Sequence, residues 1–172
     1  MIVPEKLIDF KVYENGSDLI GVADVTLPSI EAATETIKGA GIAGEIDSPT
    51  IGHYKSMEVT INWRTLMKDN ITLASPNGKH LDFRGSQQVY DSQSGKYSTV
   101  PIKCVVKCVP KKLELGKLES STTVGNNNVF EIYYIKLTVD RKDVLEIDKY
   151  NYIAKFGDED ILTGVREDLG LA

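Results

Sequence analysis

Cysteine and histidine are scarce in this chain, which has two of each among its 172 residues. Cys104 and Cys108 lie in a run of β-branched residues that favours a strand, and four residues of strand separate two Cα atoms by about 13 Å. A disulfide spans no more than about 7 Å between Cα atoms, so we predict that both cysteines are small core residues. His53 and His80 have no further ligand residue at metal-binding spacing, so we expect no metal site and no cofactor.

Long apolar runs and an excess of positive charge are also missing. No stretch approaches the ~20 apolar residues of a membrane span, and the amino terminus lacks a basic region followed by an apolar run, so we expect no membrane anchor and cytosol-like conditions. The net charge of −5 and a pI near 5.1 argue against a protein that binds nucleic acid by neutralising phosphates. This charge is compatible with a protein that surrounds DNA without gripping it.

Side chains suited to catalysis are scattered along the chain. No serine stands in a G-x-S-x-G motif. The carboxylates at predicted solvent-facing strand positions are Asp9, Asp24, Glu58, Glu146 and Asp148. This dispersed set favours ordinary solvated faces over a catalytic pair, so we expect that the chain is not an enzyme.

One glycine-rich stretch spells G-x-G-x-x-G, and it consists of Gly39, Ala40, Gly41, Ile42, Ala43 and Gly44. In a dinucleotide site these glycines follow a buried strand and open a helix whose amino end binds the pyrophosphate. Residues 35–38 are not a buried strand, and Pro49 stops a helix before it can form. We therefore interpret the stretch as the flexible tip of a hairpin.

The length of the chain predicts one domain over residues 1–172, from which a long hairpin extends at about residues 28–57. Its first arm, residues 30–38, lacks bulky apolar side chains, whereas the returning run, residues 55–64, alternates apolar and polar residues. A long, weakly hydrophobic hairpin is poorly stabilised alone. We expect a neighbouring chain to cover it.

The remaining pattern is rich in strands. Residues 7–13 and 19–27 predict an opening hairpin around Asn15-Gly16, because Asn-Gly supplies the positive φ angles of a tight turn. The other predicted elements are a helix over 66–74, strands over 79–90 and 96–109, a polar loop over 110–128, strands over 129–139 and 144–156, and a short helix within 158–169 capped by Asp158. Seven or eight mostly sequential strands predict an all-β sandwich or barrel of antiparallel strands with one flanking α-helix.

Several segments match a known family in order and spacing. They are the opening Met-x-x-Pro-x-Lys-Leu, residues 21–28, 38–44, 97–102, 133–140 and 145–148, and the closing Leu-Gly-Leu. On these segments the chain resembles the major tail tube proteins of contractile-tailed bacteriophages and of R-type phage-tail-like bacteriocins. The resemblance spans nearly the whole chain, and residues 66–83 depart most from it.

The resemblance implies a structural subunit with the phage tail tube fold. Such subunits form homohexameric rings that stack by helical assembly into a hollow inner tube, which is driven through the target cell envelope and conducts DNA or empties the cell. The implied partners are the surrounding sheath protein, the tape measure protein in the lumen, baseplate and tail terminator proteins, and DNA that passes without sequence-specific binding. The implied location is a virion tail or phage-tail-like particle assembled in the bacterial host cytoplasm.

Two hypotheses assign residues to this role. The glycine-rich tip, Gly39 to Gly44, reaches the adjacent ring, where its glycines permit close backbone approach. The lumen wall is lined by Glu31, Glu35, Glu45 and Asp47, because an acidic bore lets polyanionic DNA slide past. Six subunits that each contribute about four strands would give some 24 strands and a circumference near ~115 Å, wide enough for a double helix.

The sequence leaves open whether the particle is a genome-carrying phage or a DNA-free bacteriocin. It also leaves open two alternatives to the tail tube itself. One is a tube protein of the type VI secretion kind, which has a similar architecture but lacks the matching segments. The other is a monomeric ligand-binding β-sandwich, which needs a cleft with convergent aromatic groups. The aromatic residues available for it are Tyr133, Tyr134, Tyr150 and Tyr152.

Overall fold

The chain is described by a computed structural model over residues 1–171, and Ala172, the last residue of the predicted domain, lies outside the described residues. This part of the chain forms twelve strands and two short helices. They are β1 (Ile2–Glu14), β2 (Ser17–Asp18), β3 (Val22–Thr26), β4 (Ala32–Lys38), β5 (Glu45–Tyr54), β6 (Met57–Trp63), α1 (Lys68–Thr72), β7 (Lys79–Asp91), β8 (Lys96–Glu114), β9 (Asn127–Val139), β10 (Lys142–Asp148), β11 (Ile153–Phe156), β12 (Glu159–Asp160) and α2 (Thr163–Asp168).

Ten of the strands form one antiparallel sheet that divides at β9. Eight follow the order β12-β11-β10-β9-β8-β7-β1-β2, and β6, with β3 beyond it, pairs with β9 as a branch. One edge of β9 pairs with β8, whereas the other pairs with β6 from Asn127 to Ile132 and with β10 from Tyr134 to Val139. The sheet therefore splits near Tyr133; below, one arm is the branch of β6 and β3, and the other is the run from β8 through β7 to β1 and β2.

The two arms close over a common hydrophobic core. Val12 of β1 belongs to the same buried cluster as Ile61 of β6, although β1 lies three strands beyond β9 in the opposite direction. The sheet must curl for these strands to share a core, which gives the molecule a sandwich-like form. The predicted all-β class is confirmed, although the described residues form twelve strands where the sequence predicted seven or eight, and a short helix lies within each of the two predicted helical segments.

The predicted alternation of β6 is confirmed, since Met57, Val59, Ile61 and Trp63 are all buried. A strand with this period of two buries one whole face between the arms. Trp63 also donates a hydrogen bond from Nε1 to Oδ1 of buried Asn128, at 2.8 Å. The indole N–H is therefore satisfied inside the core.

Both cysteines are buried free thiols on β8, as predicted. They project from the inner face of β8 together with Val106. Burial raises the pKa of Cys104 and of Cys108 to about 12. Neither thiol forms a nucleophilic thiolate at neutral pH, so their role is packing.

The opening hairpin is much shorter than predicted. Asn15 and Gly16 do form its turn with φ of 47° and 84°, but β1 pairs with β2 at only two positions. The rest of the predicted second strand is β3, which pairs with β6, while β1 pairs with β7 along its length. The ladder between β1 and β7 pairs eleven positions and satisfies more backbone groups than a local hairpin can, which explains the difference.

The returning arm of the long hairpin was also misassigned. The strand that pairs with β4 is β5 (Glu45–Tyr54), not residues 55–64, which form the core strand β6. The composition of β5 is as polar as that of β4, so β5 lacks the hydrophobic alternation that indicates a strand in a sequence. The alternating run, in contrast, forms a strand with one face buried in the core between the two arms.

The two helices are shorter than their predicted ranges. α1 occupies five residues inside 66–74, and the buried Asn70 side chain fixes its start by accepting a hydrogen bond from Met67 N at 3.2 Å. At the carboxyl end, Asp158 does not cap α2, because it lies in the turn after Gly157 (φ 66°) that joins β11 to β12. Leu162 is the residue at the N-cap position.

The predicted polar loop over 110–128 is shorter than expected. β8 continues to Glu114 and β9 begins at Asn127. Asn128 is buried because its side chain links two elements, accepting from Trp63 and donating from Nδ2 to the carbonyl oxygen of Asn70 at 3.1 Å. The segment predicted to be a solvent-exposed loop therefore contains a buried side-chain amide that stabilises the fold.

Candidate assembly interface

The hairpin formed by β4 and β5, called the hairpin below, stands apart from the main sheet. Within the described residues its two strands pair with each other only. Ile37 and Ile46 lie directly opposite one another in the register, and their residues are 45% and 55% exposed. A cross-strand isoleucine pair half open to solvent is typical of a surface that another protein covers.

The tip of the hairpin projects into open space. Gly39, Gly41 and Gly44 have φ of 128°, 88° and 113°, and beyond the adjacent residues no atom of residues 1–171 lies within 4 Å of the Cβ that a side chain would add. The glycines are thus required by the left-handed backbone of the tip and not by crowding within this chain. Ile42 N donates to Gly39 O at 3.2 Å, and Gly44 N donates to Ile42 O at 3.1 Å, so the tip is an ordered turn.

The four acidic residues predicted to line the lumen do not share one face. Glu45 and Asp47 lie on the face opposite the isoleucine pair, where Lys38 stands opposite Glu45 in the register and Asp47 accepts a hydrogen bond from Thr36 Oγ1 at 2.8 Å. Glu35 lies on the isoleucine face. Glu31 precedes β4 and pairs with Lys55 at 3.1 Å.

A second open feature is the outer edge of β1. One edge of this strand pairs with β7, and the other pairs with β2 at Tyr13 and Glu14 only. Among the described residues, the stretch from Ile2 to Lys11 has no partner strand along that edge. Ile2, Leu7 and Ile8 are exposed there. Unpaired strand edges with apolar side chains readily pair with another chain.

An apolar groove of about 260 Å³ adjoins this edge. It is lined by residues of β1, β3, β7, β8 and β9 and by Leu27 just after β3, and its apolar lining residues are Leu7, Phe10, Val25, Leu27, Phe83, Ile102, Cys104 and Leu137. The sequence did not indicate this groove or the open edge, because both depend on which strands pair. The signal available in the sequence is that Ile2, Leu7 and Ile8 place apolar residues at both odd and even positions of β1, which a strand with one buried face does not need.

The carboxylates considered for catalysis take part in ordinary surface contacts. Glu58 pairs with Lys111, and Glu146 accepts a hydrogen bond from the hydroxyl of Tyr134 at 3.3 Å. Burial, followed by the charge of Glu146, raises the pKa of Tyr134 to about 12. Asp148 accepts from Tyr150 N and stabilises the turn after β10. Glu146 and Asp148 flank buried Ile147 on β10, and both are partly exposed to solvent.

The four tyrosines do not converge on one cleft. Tyr133 contacts the exposed Tyr150 edge-on, with ring centroids 5.6 Å apart, whereas Tyr134 lies beneath the ammonium of Lys107. Among residues 1–171, no three His, Cys, Asp or Glu side chains come together in a way that could hold a metal ion. The helices in that range are too short and too polar to cross a membrane.

The chain matches known proteins over nearly its whole length. The family model described as phage tail tube protein FII matches residues 4–170. The tail tube protein of Escherichia phage P2 is 28% identical over 176 residues, which cover 99% of this chain and all of that protein. The major tail tube protein of Serratia phage KSP20 is 23% identical over 156 residues, which cover 90% of this chain and 89% of that protein.

A solved structure has the same fold. It is the sheath/tube terminator of an extracellular contractile injection system, PVC, in its extended state, with a TM-score of 0.52. It is 14% identical to this chain and covers 76% of this chain and 94% of its own. This likeness concerns the fold, whereas the family match over residues 4–170 establishes that the chain belongs to the phage tail tube protein FII family.

Proposed function

We infer that this chain is the structural subunit of the inner tube of a contractile tail. The observation that carries this proposal is the unpaired edge of β1, bordered by exposed apolar side chains and a groove, in a chain of the tail tube family. A monomer would leave this edge open to aggregation. A closed ring of copies covers it, because every subunit then supplies a strand to its neighbour.

The ring that we propose is a homohexamer built by residues 1–172 as one tail tube domain, with the hairpin at about residues 28–57 extending from it. Six copies of about four strands each give some 24 strands, and a spacing of ~4.8 Å gives a circumference of ~115 Å. The tilt of the strands widens this further. Such a bore admits a DNA double helix, and the acidic balance of the chain keeps DNA from sticking to the wall.

The hairpin makes the contact between stacked rings in this proposal. Ile37 and Ile46 pack on the adjacent ring, because this face needs an apolar cover. The tip, Gly39 to Gly44, extends the contact by close backbone approach. The opposite face then stays in contact with water, so Glu45 and Asp47 are the proposed lumen residues. We place Glu35 at the rim of the bore and Glu31 away from it, where it forms an ion pair with Lys55.

The further partners follow from the family and not from any contact within the chain. We propose a sheath protein around the tube, a tape measure protein in the lumen, and baseplate and tail terminator proteins at the ends. The particle is a virion tail or a phage-tail-like device assembled in the cytoplasm of a bacterial host. The subunit carries out no catalytic step, and the work of contraction comes from the sheath.

The experiment is a concentration series of the purified chain by sedimentation velocity, followed by negative-stain electron microscopy. We expect rings or tubes that grow with concentration. A single species of 19.0 kDa at every concentration would contradict the proposal and favour a monomeric ligand-binding sandwich. Within the tube proposal, the symmetry of the end views tests the number of subunits in a ring.

A further inference from the structure

The hairpin leaves the body of the molecule at an irregular base. Between the pairs Ala32↔Tyr54 and Thr34↔Pro49, β4 advances by two residues whereas β5 advances by five. Three extra residues therefore bulge out of β5 just where the hairpin departs from the body. Bulges of this kind bend a strand and aim its neighbours in a set direction.

Gly52 lies in this bulge against the side chain of Leu162. Its φ is +68°, and a Cβ at this position would overlap the side chain of Leu162. Leu162 is only 3% exposed, which means that it fills the notch left by the missing side chain. Glycine is thus required here both by the backbone conformation and by the close approach of another segment.

Leu162 belongs to the carboxy-terminal segment from β12 to α2, called the latch below, which is fixed firmly to the body. Arg166 contacts Asp160 at 2.6 Å and donates a second hydrogen bond to Tyr152 O at 2.7 Å. Asp160 also accepts from Leu162 N at 3.2 Å. The charged pair is largely shielded from solvent, so its geometry is well defined.

Two further contacts hold the base of the hairpin to β11 and to the turn after β10, outside the latch. The rings of Tyr54 and Phe156 lie 6.0 Å apart, and Lys149 Nζ donates to Lys55 O at 2.9 Å. All of these contacts are at the base of the hairpin, and none reaches Ile37 or the tip. A two-stranded hairpin that shares no ladder with the main sheet has its direction set by such side-chain contacts.

We propose that Leu162 is a positioning residue and that the latch sets the angle of the hairpin before assembly. With Leu162 seated against Gly52, the hairpin points in one direction and pays less ordering entropy when it meets its partner surface. Without this contact the hairpin swings about residues 50–54. This inference rests on the proposed function for what the hairpin contacts, but the latch itself is a property of the single chain.

The test compares Leu162→Ala with Leu169→Ala in the full chain, kept dilute enough to stay unassembled. Leu169 follows the same helix and is exposed, so its loss controls for a general effect on α2. Spin labels at Ala43→Cys on the tip and Lys103→Cys on β8 report the distance distribution, while hydrogen exchange follows residues 50–54. The native cysteines are buried and do not compete for the label.

We expect Leu162→Ala to broaden the distance distribution at least about twofold and to speed exchange at residues 50–54 about tenfold, with β7 and β8 unchanged. Leu169→Ala should match the parent in both measurements. A distribution and exchange rates in Leu162→Ala equal to those of the parent would overturn the proposal.

If exchange across β7 and β8 shows that Leu162→Ala does not fold, Arg166→Gln replaces it, because this change releases the latch without a cavity. The same broadening is expected, and an unchanged distribution again overturns the proposal. These distances are measured without tubes. If Leu162→Ala loosens the hairpin but the parent chain never forms tubes, the role of the latch is supported and the tube proposal is contradicted.

Discussion

The isoleucine pair on the hairpin gives the sharpest test of how rings would stack. We consider the double variant Ile37→Ser with Ile46→Ser, which replaces both isoleucines by small, uncharged side chains. The two residues face each other across β4 and β5, so one surface is changed and the core is untouched. Because the other half of each isoleucine is already buried in the single chain, the two changes should lower folding stability by up to about 2 kcal/mol, and this loss falls within the hairpin.

The expected effect on assembly follows from the exposed fractions. Ile37 is 45% exposed and Ile46 is 55% exposed, so about half of each side chain is left for a partner to bury. Full burial of an isoleucine contributes about 1.5–3 kcal/mol, which gives about 1 kcal/mol for each residue and about 2 kcal/mol for the pair. At 1.4 kcal/mol per factor of ten, the critical concentration for tube growth should rise roughly 30-fold.

The assay is the concentration of chain left in the supernatant after tubes are sedimented, with circular dichroism as a check on folding. The control is Ile71→Ser, since Ile71 is also an exposed isoleucine but lies on α1. The double variant should need far more protein to form tubes, and the control should behave as the parent. If the double variant assembles at the parent's critical concentration, the hairpin face does not contact the next ring.

Two further predictions concern stability. The hydrogen bond from Arg166 lowers the pKa of Asp160 below its ordinary value of 3.8, so the bond stabilises the fold fully above about pH 3.8 and is lost as the pH falls through the lower folded pKa. In urea unfolding, the gap between the parent and Asp160→Asn should be constant near neutral pH and close below pH 3.8; a gap that persists in acid would refute this. Asn128→Ala leaves the indole of Trp63 without its buried acceptor and should lower the free energy of unfolding by about 2–3 kcal/mol, which Trp63 fluorescence in urea would report; a loss under about 0.5 kcal/mol would argue that the amide is dispensable.

Local patterns were sufficient for the strands that bury one face. The alternation in residues 57–63 predicted β6 correctly, and the β-branched run around the cysteines predicted the inner face of β8. The turn at Asn15-Gly16 was likewise predictable, because few other residue pairs adopt two successive positive φ angles. These features depend on neighbours within a few residues in the sequence.

Pairing between distant strands could not be predicted in the same way. A period of two shows that a segment is a strand but not which strand it joins, so the partners β1 with β7 and β3 with β6 were missed. β5 was missed for the opposite reason, since its polar composition carries no period at all. Both errors concern edges and exposed strands, where burial imposes no pattern.

The candidate interface was predicted in part. The glycine-rich tip was located because its motif is local, and the structure adds that the glycines are needed for positive φ. The faces of the four acidic residues depend on the register between β4 and β5, which is shifted by the bulge. The bulge at Gly52 could have been predicted from the sequence, since a glycine inside a strand often marks a bulge or a close approach of another segment.

The most direct measurement is a helical reconstruction by cryo-electron microscopy of tubes formed from the purified chain. We expect the edge of β1 from Ile2 to Lys11 to pair with a strand of the neighbouring copy, and Ile37 and Ile46 to be covered by the adjacent ring. Tubes in which both the edge of β1 and the hairpin face solvent would contradict this expectation.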